Sequence, residues 1–281
     1  MIKICEPPQL TPIAPGIARV DGFFPKGITA LQTDRLGGSS VGNFSSFNLG
    51  DHVGDDPLSV ARNRRQLSDL CPSQPIWLEQ IHGTQAIALD EPDLASMVNA
   101  PARKFQADAS MTRLAGQVCC VMTADCLPLL VARPGTGQVA AIHAGWRGLL
   151  AGVIEKTLTR MSQFEPKGDD LWKIWLGPAI GASAFEVGGE VRDQFTSQAS
   201  ISAQAFVSSS SGADKWLADL RRLAVGRIQA WADQINLESQ HSSVQIEIAI
   251  DPQCVYTRSD RYFSYRRDCK TGRMASLIFR D

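Results

Sequence analysis

Only four histidines occur in the 281-residue chain: His52, His82, His143 and His241. His82 stands in Leu78-Glu79-Gln80-Ile81-His82-Gly83, at the end of a predicted strand. His143 opens His143-Ala144-Gly145-Trp146-Arg147-Gly148, where an apolar strand gives way to a helix. Cys126 sits in Thr123-Ala124-Asp125-Cys126-Leu127-Pro128, where another apolar strand runs into a proline turn. In α/β proteins catalytic groups collect at such strand ends, because a rigid scaffold meets solvent there. Two neutral imidazoles and one thiolate suit a catalytic zinc ion, which takes nitrogen and sulfur ligands and keeps a fourth position open. The trio leaves the ion a net positive charge that can acidify water or polarise a substrate oxygen. The separations, 44 and 17 positions, match no short metal motif. Two other readings of the same residues stay open. Cys126 could be a nucleophile with His143 as its base, oriented by Asp125 or Glu79, or both could be plain core residues.

The cationic candidates are fewer. Arg147 lies one residue past Trp146 at a helix start, where an arginine fork and free backbone donors can take a phosphate; capping of its own loop is the alternative. Arg62, Asn63, Arg64 and Arg65 fall on a predicted helix, where a solvated face is the default. Tyr262-Phe263-Ser264-Tyr265-Arg266-Arg267-Asp268 mixes rings and guanidinium groups, which suits stacking on a base as well as core packing.

Several elements must position these groups. Pro57 suits the start of a helix running from Ser59 to Leu70. Ile76 to Leu78, Ala86 to Leu89, Val118 to Thr123, Leu129 to Ala132, Val139 to His143 and Lys173 to Leu176 are short and apolar, as buried strands are. Leu150, Val153, Ile154, Thr157, Leu158 and Met161 share one helical face. Leu217 to Trp231 has helical spacing, and Val244 to Ile250 and Ser276 to Phe279 read as strands. Glu91 to Gln106 reads as a polar surface excursion, and Ser197 to Gly212, rich in Ser, Ala and Gln, as a mobile loop. Strands and helices alternate throughout, so an α/β or α+β domain is expected.

Composition narrows the function classes. Basic and acidic residues number 28 and 29, so no general field attracts nucleic acid or anionic lipid. The run from Val118 to Ala132 is too short and too interrupted to span a bilayer. The N-terminus lacks the apolar core of a secretory signal, and seven irregularly spaced cysteines fit reduced thiols. A cytoplasmic enzyme without nucleic-acid or membrane partners is the expectation.

At Phe47-Asn48-Leu49-Gly50-Asp51-His52-Val53-Gly54-Asp55-Asp56, Gln80-Ile81-His82-Gly83, the Ala-Asp-Cys segment at Cys126 and the His-Ala-Gly-Trp segment at His143, the sequence resembles the YfiH family. Gly177-Pro178-Ala179-Ile180-Gly181, Ser264-Tyr265-Arg266-Arg267-Asp268 and Thr271-Gly272-Arg273-Met274-Ala275 extend the likeness from about Gly37 to the C-terminus. The family is also called the multicopper polyphenol oxidase or laccase-domain family and has been reassigned as purine nucleoside phosphorylases. The resemblance implies a mixed-sheet layered sandwich with helices outside, similar to a bacterial cytotoxic necrotizing factor deamidase. It implies one catalytic domain over 1–281, residues 1–25 being an N-terminal extension. It further implies zinc on His82, Cys126 and His143, phosphorolysis of adenosine, guanosine, inosine and methylthioadenosine, and deamination of adenosine. Purine nucleosides and phosphate are then the partners; for such chemistry Arg64 and Arg147, with Asn48 as a neutral donor, are candidates to hold phosphate, and Asp125 or Glu79 to shuttle protons. One departure stands out: Ala182-Ser183-Ala184-Phe185-Glu186 replaces the cysteines and tyrosine that many members carry after Gly-Pro-Ala-Ile-Gly. Copper and a polyphenol oxidase activity are the rival expectation. A multicopper set needs about ten imidazoles, and the chain has four. A ligand-binding regulator without turnover is the non-enzymatic alternative.

Overall fold

The computed structural model describes residues 1–91, 105–166, 170–238 and 244–281. Seven strands form the larger sheet in the order Ile2–Cys5, Gln245–Ile250, Leu171–Leu176, Leu127–Arg133, Gln138–Ala144, Ala109–Thr112, Ala86–Ala88. Five more form a second sheet in the order Gln9–Ala14, Ile17–Asp21, Ile28–Thr33, Met274–Arg280, Cys119–Thr123. Smaller sheets join Glu186–Gly188, Lys215–Ala218 and Phe206–Ser208, and pair Leu78–Glu79 with Phe105–Gln106.

The period-two geometry of a strand sorts successive side chains onto opposite faces, and here it builds the layers. Leu129 and Val131 point into one core with Leu149, Ile154, Leu158 and Ile228 of the helices. Leu130 and Ala132 of the same strand enter a second core shared with Val121 and Ile278 of the five-stranded sheet. Cys120, Leu277 and Phe279, on the far side of that sheet, pack in a third core with Phe47, Leu49 and Leu67. Helices, the seven-stranded sheet, the five-stranded sheet and a last helix therefore stack in order, the mixed-sheet layered sandwich expected. No helix among the described residues is long and apolar enough to cross a membrane.

Several elements differ from the sequence reading. The predicted helical face around Leu150 belongs to two helices, Trp146–Ala151 and Val153–Ser162, because Gly152 takes a left-handed φ of 91° between them. Ser197 to Gly212 is not a plain loop. It includes a 3-10 helix, Ser200–Ala205, and the strand Phe206–Ser208, whose Ala205 and Phe206 bury their side chains. The helix expected from Leu217 starts at Leu220 and runs to Glu238, since Lys215–Ala218 is a strand. Residues 1–25, expected as an extension, contribute strands to both large sheets. Most of the polar excursion, 92–104, and His241 lie outside the described residues.

Candidate metal centre and its pocket

The antiparallel pairing of Leu127–Arg133 with Gln138–Ala144 sets Pro128 opposite His143, so Cys126 and His143 come together at the same end of the large sheet. His82 reaches them from the loop after Leu78–Glu79, with its backbone in the left-handed region at φ 58°. The ligand atoms of His82, Cys126 and His143 all lie within 4.8 Å of one another. His82 Nε2 is 3.7 Å from Cys126 Sγ, and the two imidazoles meet edge to face at 4.8 Å between centroids. A tetrahedral zinc ion, with its usual bond lengths to sulfur and nitrogen, spaces two such donors by about 3.5 Å. The His82–Cys126 separation is close to that spacing, and the donor set is one that could hold a metal ion.

The glycines of His143-Ala144-Gly145-Trp146-Arg147-Gly148 follow from this crowding. A Cβ on Gly145 would stand 2.7 Å from His82 Cδ2 and 3.0 Å from Cys126 Sγ, and one on Gly148 would stand 2.8 Å from the Gly83 carbonyl oxygen. Neither contact leaves room for a side chain.

Asp108, which no sequence motif marks, underlies the centre. It is fully buried, and its Oδ1 lies 2.8 Å from His143 Nδ1. Its carboxylate also accepts the backbone N–H groups of Ile81, His82 and Gly83. Burial pushes the Asp108 carboxyl up, but His143 and those amides outweigh it and hold it below its ordinary value. Burial likewise opposes ionisation of Cys126, yet His143 and His82 bring its thiol down to about 6. His143 is raised to about 9, because the Cys126 thiolate and Asp108 overcome the desolvation that would lower it.

The trio opens into a cavity of about 560 Å³ also lined by His52, Phe185, Tyr265 and three arginines, Arg147, Arg266 and Arg273. Arg147 lies 4.4 Å from the Trp146 ring centroid. Arg266 donates to the Glu186 carbonyl and lies 5.3 Å from the Phe185 centroid. Arg273 donates to the Thr271 and Gly272 carbonyls.

Of the sequence candidates, His82, Cys126, His143, Asp125 and Arg147 thus line the cavity, whereas Asn48, Arg64 and Glu79 do not. Asn48 is fully buried, its amide donating to the Gly50 carbonyl and Asp55 while its Oδ1 accepts from Gly50 and Arg273. It fixes the Arg273 backbone, and no part of it is free for phosphate. Arg64 donates to the Leu49 carbonyl, pairs with Asp51 and stacks on Trp77 behind Met122. Glu79 is exposed at the edge of its short strand. Asp125 has both oxygens engaged, one by Ser264 Oγ and one by the Arg266 N–H, each at 2.6 Å. It anchors the turn that carries Tyr265 and Arg266, and burial, working against these bonds, raises its carboxyl.

Arg266, Arg273 and Tyr265 belonged to matched segments of the sequence but carried no assigned role. A local signal existed only in the mixture of rings and arginines at Tyr262–Asp268. Tyr262 and Phe263 of that run are core, as their burial shows.

Comparison with known proteins shows the family. The family described as multi-copper polyphenol oxidoreductase laccase matches residues 29–281. The purine nucleoside phosphorylase YfiH of Escherichia coli (strain K12) is 43% identical over 258 residues, covering 91% of this chain and 95% of its own. This chain belongs to the YfiH family. A second relative, the purine nucleoside phosphorylase PA4543 of Pseudomonas aeruginosa, is 42% identical over 270 residues, or 96% of this chain and 97% of its own. The crystal structure of Neisseria meningitidis protein NMB0706 is similar with a TM-score of 0.79 at 38% identity, covering 95% of this chain and 99% of that one. The YfiH-type layered fold is thus shared.

Proposed function

We propose that the chain is a zinc-dependent purine nucleoside phosphorylase acting on adenosine, guanosine, inosine and methylthioadenosine, and that the same pocket deaminates adenosine. The supporting observation is the convergence of two imidazoles and a thiol in a cavity lined by three arginines. The names carried by the Escherichia coli and Pseudomonas aeruginosa relatives point the same way.

In phosphorolysis a phosphate oxygen forms a bond to C1′ of the ribose while the C1′–N9 bond breaks, and its electron pair leaves with the purine. Arg147, Arg266 and Arg273 neutralise the phosphate and hold it for attack, since guanidinium groups suit phosphate oxygens. Phe185, Trp146 and Tyr265 offer ring surface to a base. A zinc ion held by His82, Cys126 and His143 would supply Lewis acidity toward a substrate oxygen or water. Asp125 is occupied as an anchor and Glu79 lies away from the cavity, so neither serves as the proton shuttle considered from the sequence.

Incubation of purified, zinc-loaded protein with inosine should release hypoxanthine and ribose 1-phosphate only when phosphate is present. Adenosine without phosphate should give inosine and ammonia. Absence of phosphate-dependent base release would overturn the phosphorylase reading. A Cys–His hydrolase is the second reading, favoured by the Cys126 thiol brought down to about 6 beside His143. It requires that iodoacetamide abolish activity while bound metal is retained.

A further inference from the structure

A fully buried carboxylate is costly unless its charge is answered. Asp108 has no lysine or arginine partner among the described residues, and its one ion pair is with His143. Among the described residues, every hydrogen bond to its side chain instead leads to a loop that carries a candidate ligand. Oδ1 accepts the His82 N–H at 2.9 Å and faces His143 Nδ1 at 2.8 Å. Oδ2 accepts the Gly83 N–H at 2.7 Å and the Ile81 N–H at 3.3 Å. Three successive amides pointed at one anion form a backbone nest.

That nest holds His82 in the left-handed region, a conformation that costs a residue with a side chain about 1–2 kcal/mol. With this backbone, His82 Nε2 lies beside Cys126 Sγ. On the other side, once His143 is neutral, a hydrogen bond from its Nδ1 to Asp108 leaves Nε2 with the free lone pair, which is how metal-bound histidines are usually oriented. The main chain reinforces it, for the His143 N–H donates to the Asp108 carbonyl at 2.7 Å.

We propose that Asp108 is the positioning residue of the metal centre, one carboxylate that sets the backbone of His82 and the tautomer of His143 together. The proposal rests on the metal-site reading above. It also gives the centre charge balance, because the Asp108 carboxylate and the Cys126 thiolate together match a divalent cation.

The test is zinc affinity of metal-free wild type and Asp108→Asn by competition with a chromophoric chelator, alongside thermal unfolding of both metal-free proteins. The expected result is affinity weaker by about 10- to 100-fold in the variant, with the unfolding midpoint of the metal-free protein changed far less. Affinity within twofold of wild type overturns the proposal and leaves the metal site standing. Failure of the wild type itself to bind zinc removes both. Should Asp108→Asn not fold, long-range ¹H–¹⁵N spectra of the zinc-loaded wild type decide the matter. Protonated Nδ1 with ligated Nε2 on His143 supports the proposal, and the reverse tautomer overturns it.

Discussion

His82 Nε2 lies 3.7 Å from Cys126 Sγ, although 44 positions separate the two residues in sequence. Nothing local brings them together. One sits on a left-handed turn after an edge strand, the other at the mouth of a buried strand, and Gly145 leaves the space between them open. A metal ion shared with His143, as proposed, would account for such a contact at a cavity wall.

Replacing the sulfur tests this directly. Cys126→Ser should lose most of the bound zinc and the phosphorolysis activity, since an alcohol is a far poorer ligand than a thiolate. Metal analysis of the purified variant reads the outcome, and full zinc content would exclude ligation by Cys126.

Gly145→Ala should do similar damage without touching a ligand. The added methyl group would meet His82 Cδ2 at 2.7 Å and Cys126 Sγ at 3.0 Å, so the two donors must separate. Zinc affinity should fall while far-UV circular dichroism stays unchanged, and unaltered affinity would show that the donors need not be so close.

Metal uptake should be coupled to protons in a particular way. In the metal-free chain at pH 7, His143, raised to about 9, is protonated, and Cys126, lowered to about 6, is ionised. Zinc must therefore displace a proton from His143 and little from Cys126, and apparent affinity should increase from pH 7 toward 9. Below about pH 6 the thiol protonates as well and affinity falls more steeply. Calorimetric titrations in buffers of different ionisation enthalpy should report release of about one proton at pH 7. Release of none would contradict the assignment.

Arg147→Ala should raise KM for phosphate with little effect on stability, because Arg147 is exposed at the cavity and stacks on Trp146. Loss of a charged hydrogen bond costs about 1.5–3 kcal/mol, or roughly 10- to 100-fold in kcat/KM. Steady-state kinetics with varied phosphate measure it, and an unchanged KM would place the anion elsewhere.

Away from the site, Arg133 and Asp170 form a buried two-point ion pair, Nε to Oδ1 at 2.7 Å and Nη2 to Oδ2 at 3.0 Å. Arg133 also donates to the Met161 and Phe164 carbonyls, tying down the end of Val153–Ser162. Asp170→Ala leaves the guanidinium buried without its counter-charge and should destabilise the fold by about 3–5 kcal/mol. Chemical denaturation provides the value, and a loss under 1 kcal/mol would mean that water reaches the pair.

The clustering of His82, Cys126 and His143 was legible because two histidines and a cysteine stood at strand ends, and strand ends follow from local apolar patterns. Arg147 was legible through its adjacency to the His143 motif. Asp108 was not, since its importance comes from three amides and an imidazole that only tertiary structure assembles around it. Asn48 misled for the converse reason: its amide looks like a free donor until the Gly50, Asp55 and Arg273 contacts bury it. Among the elements, the buried strands near Cys126 and His143 declared themselves by continuous apolar runs. The N-terminal strands Ile2–Cys5 and Gln9–Ala14 did not, because edge strands keep exposed polar and proline residues. The break at Gly152 was hidden inside an unbroken helical periodicity.

X-ray absorption at the zinc edge of the metal-loaded protein tests the metal centre most directly. One sulfur at about 2.3 Å and two imidazole nitrogens at about 2.0–2.1 Å are expected, with the sulfur contribution gone in Cys126→Ser. A first shell of oxygen and nitrogen alone in the wild type would contradict the site.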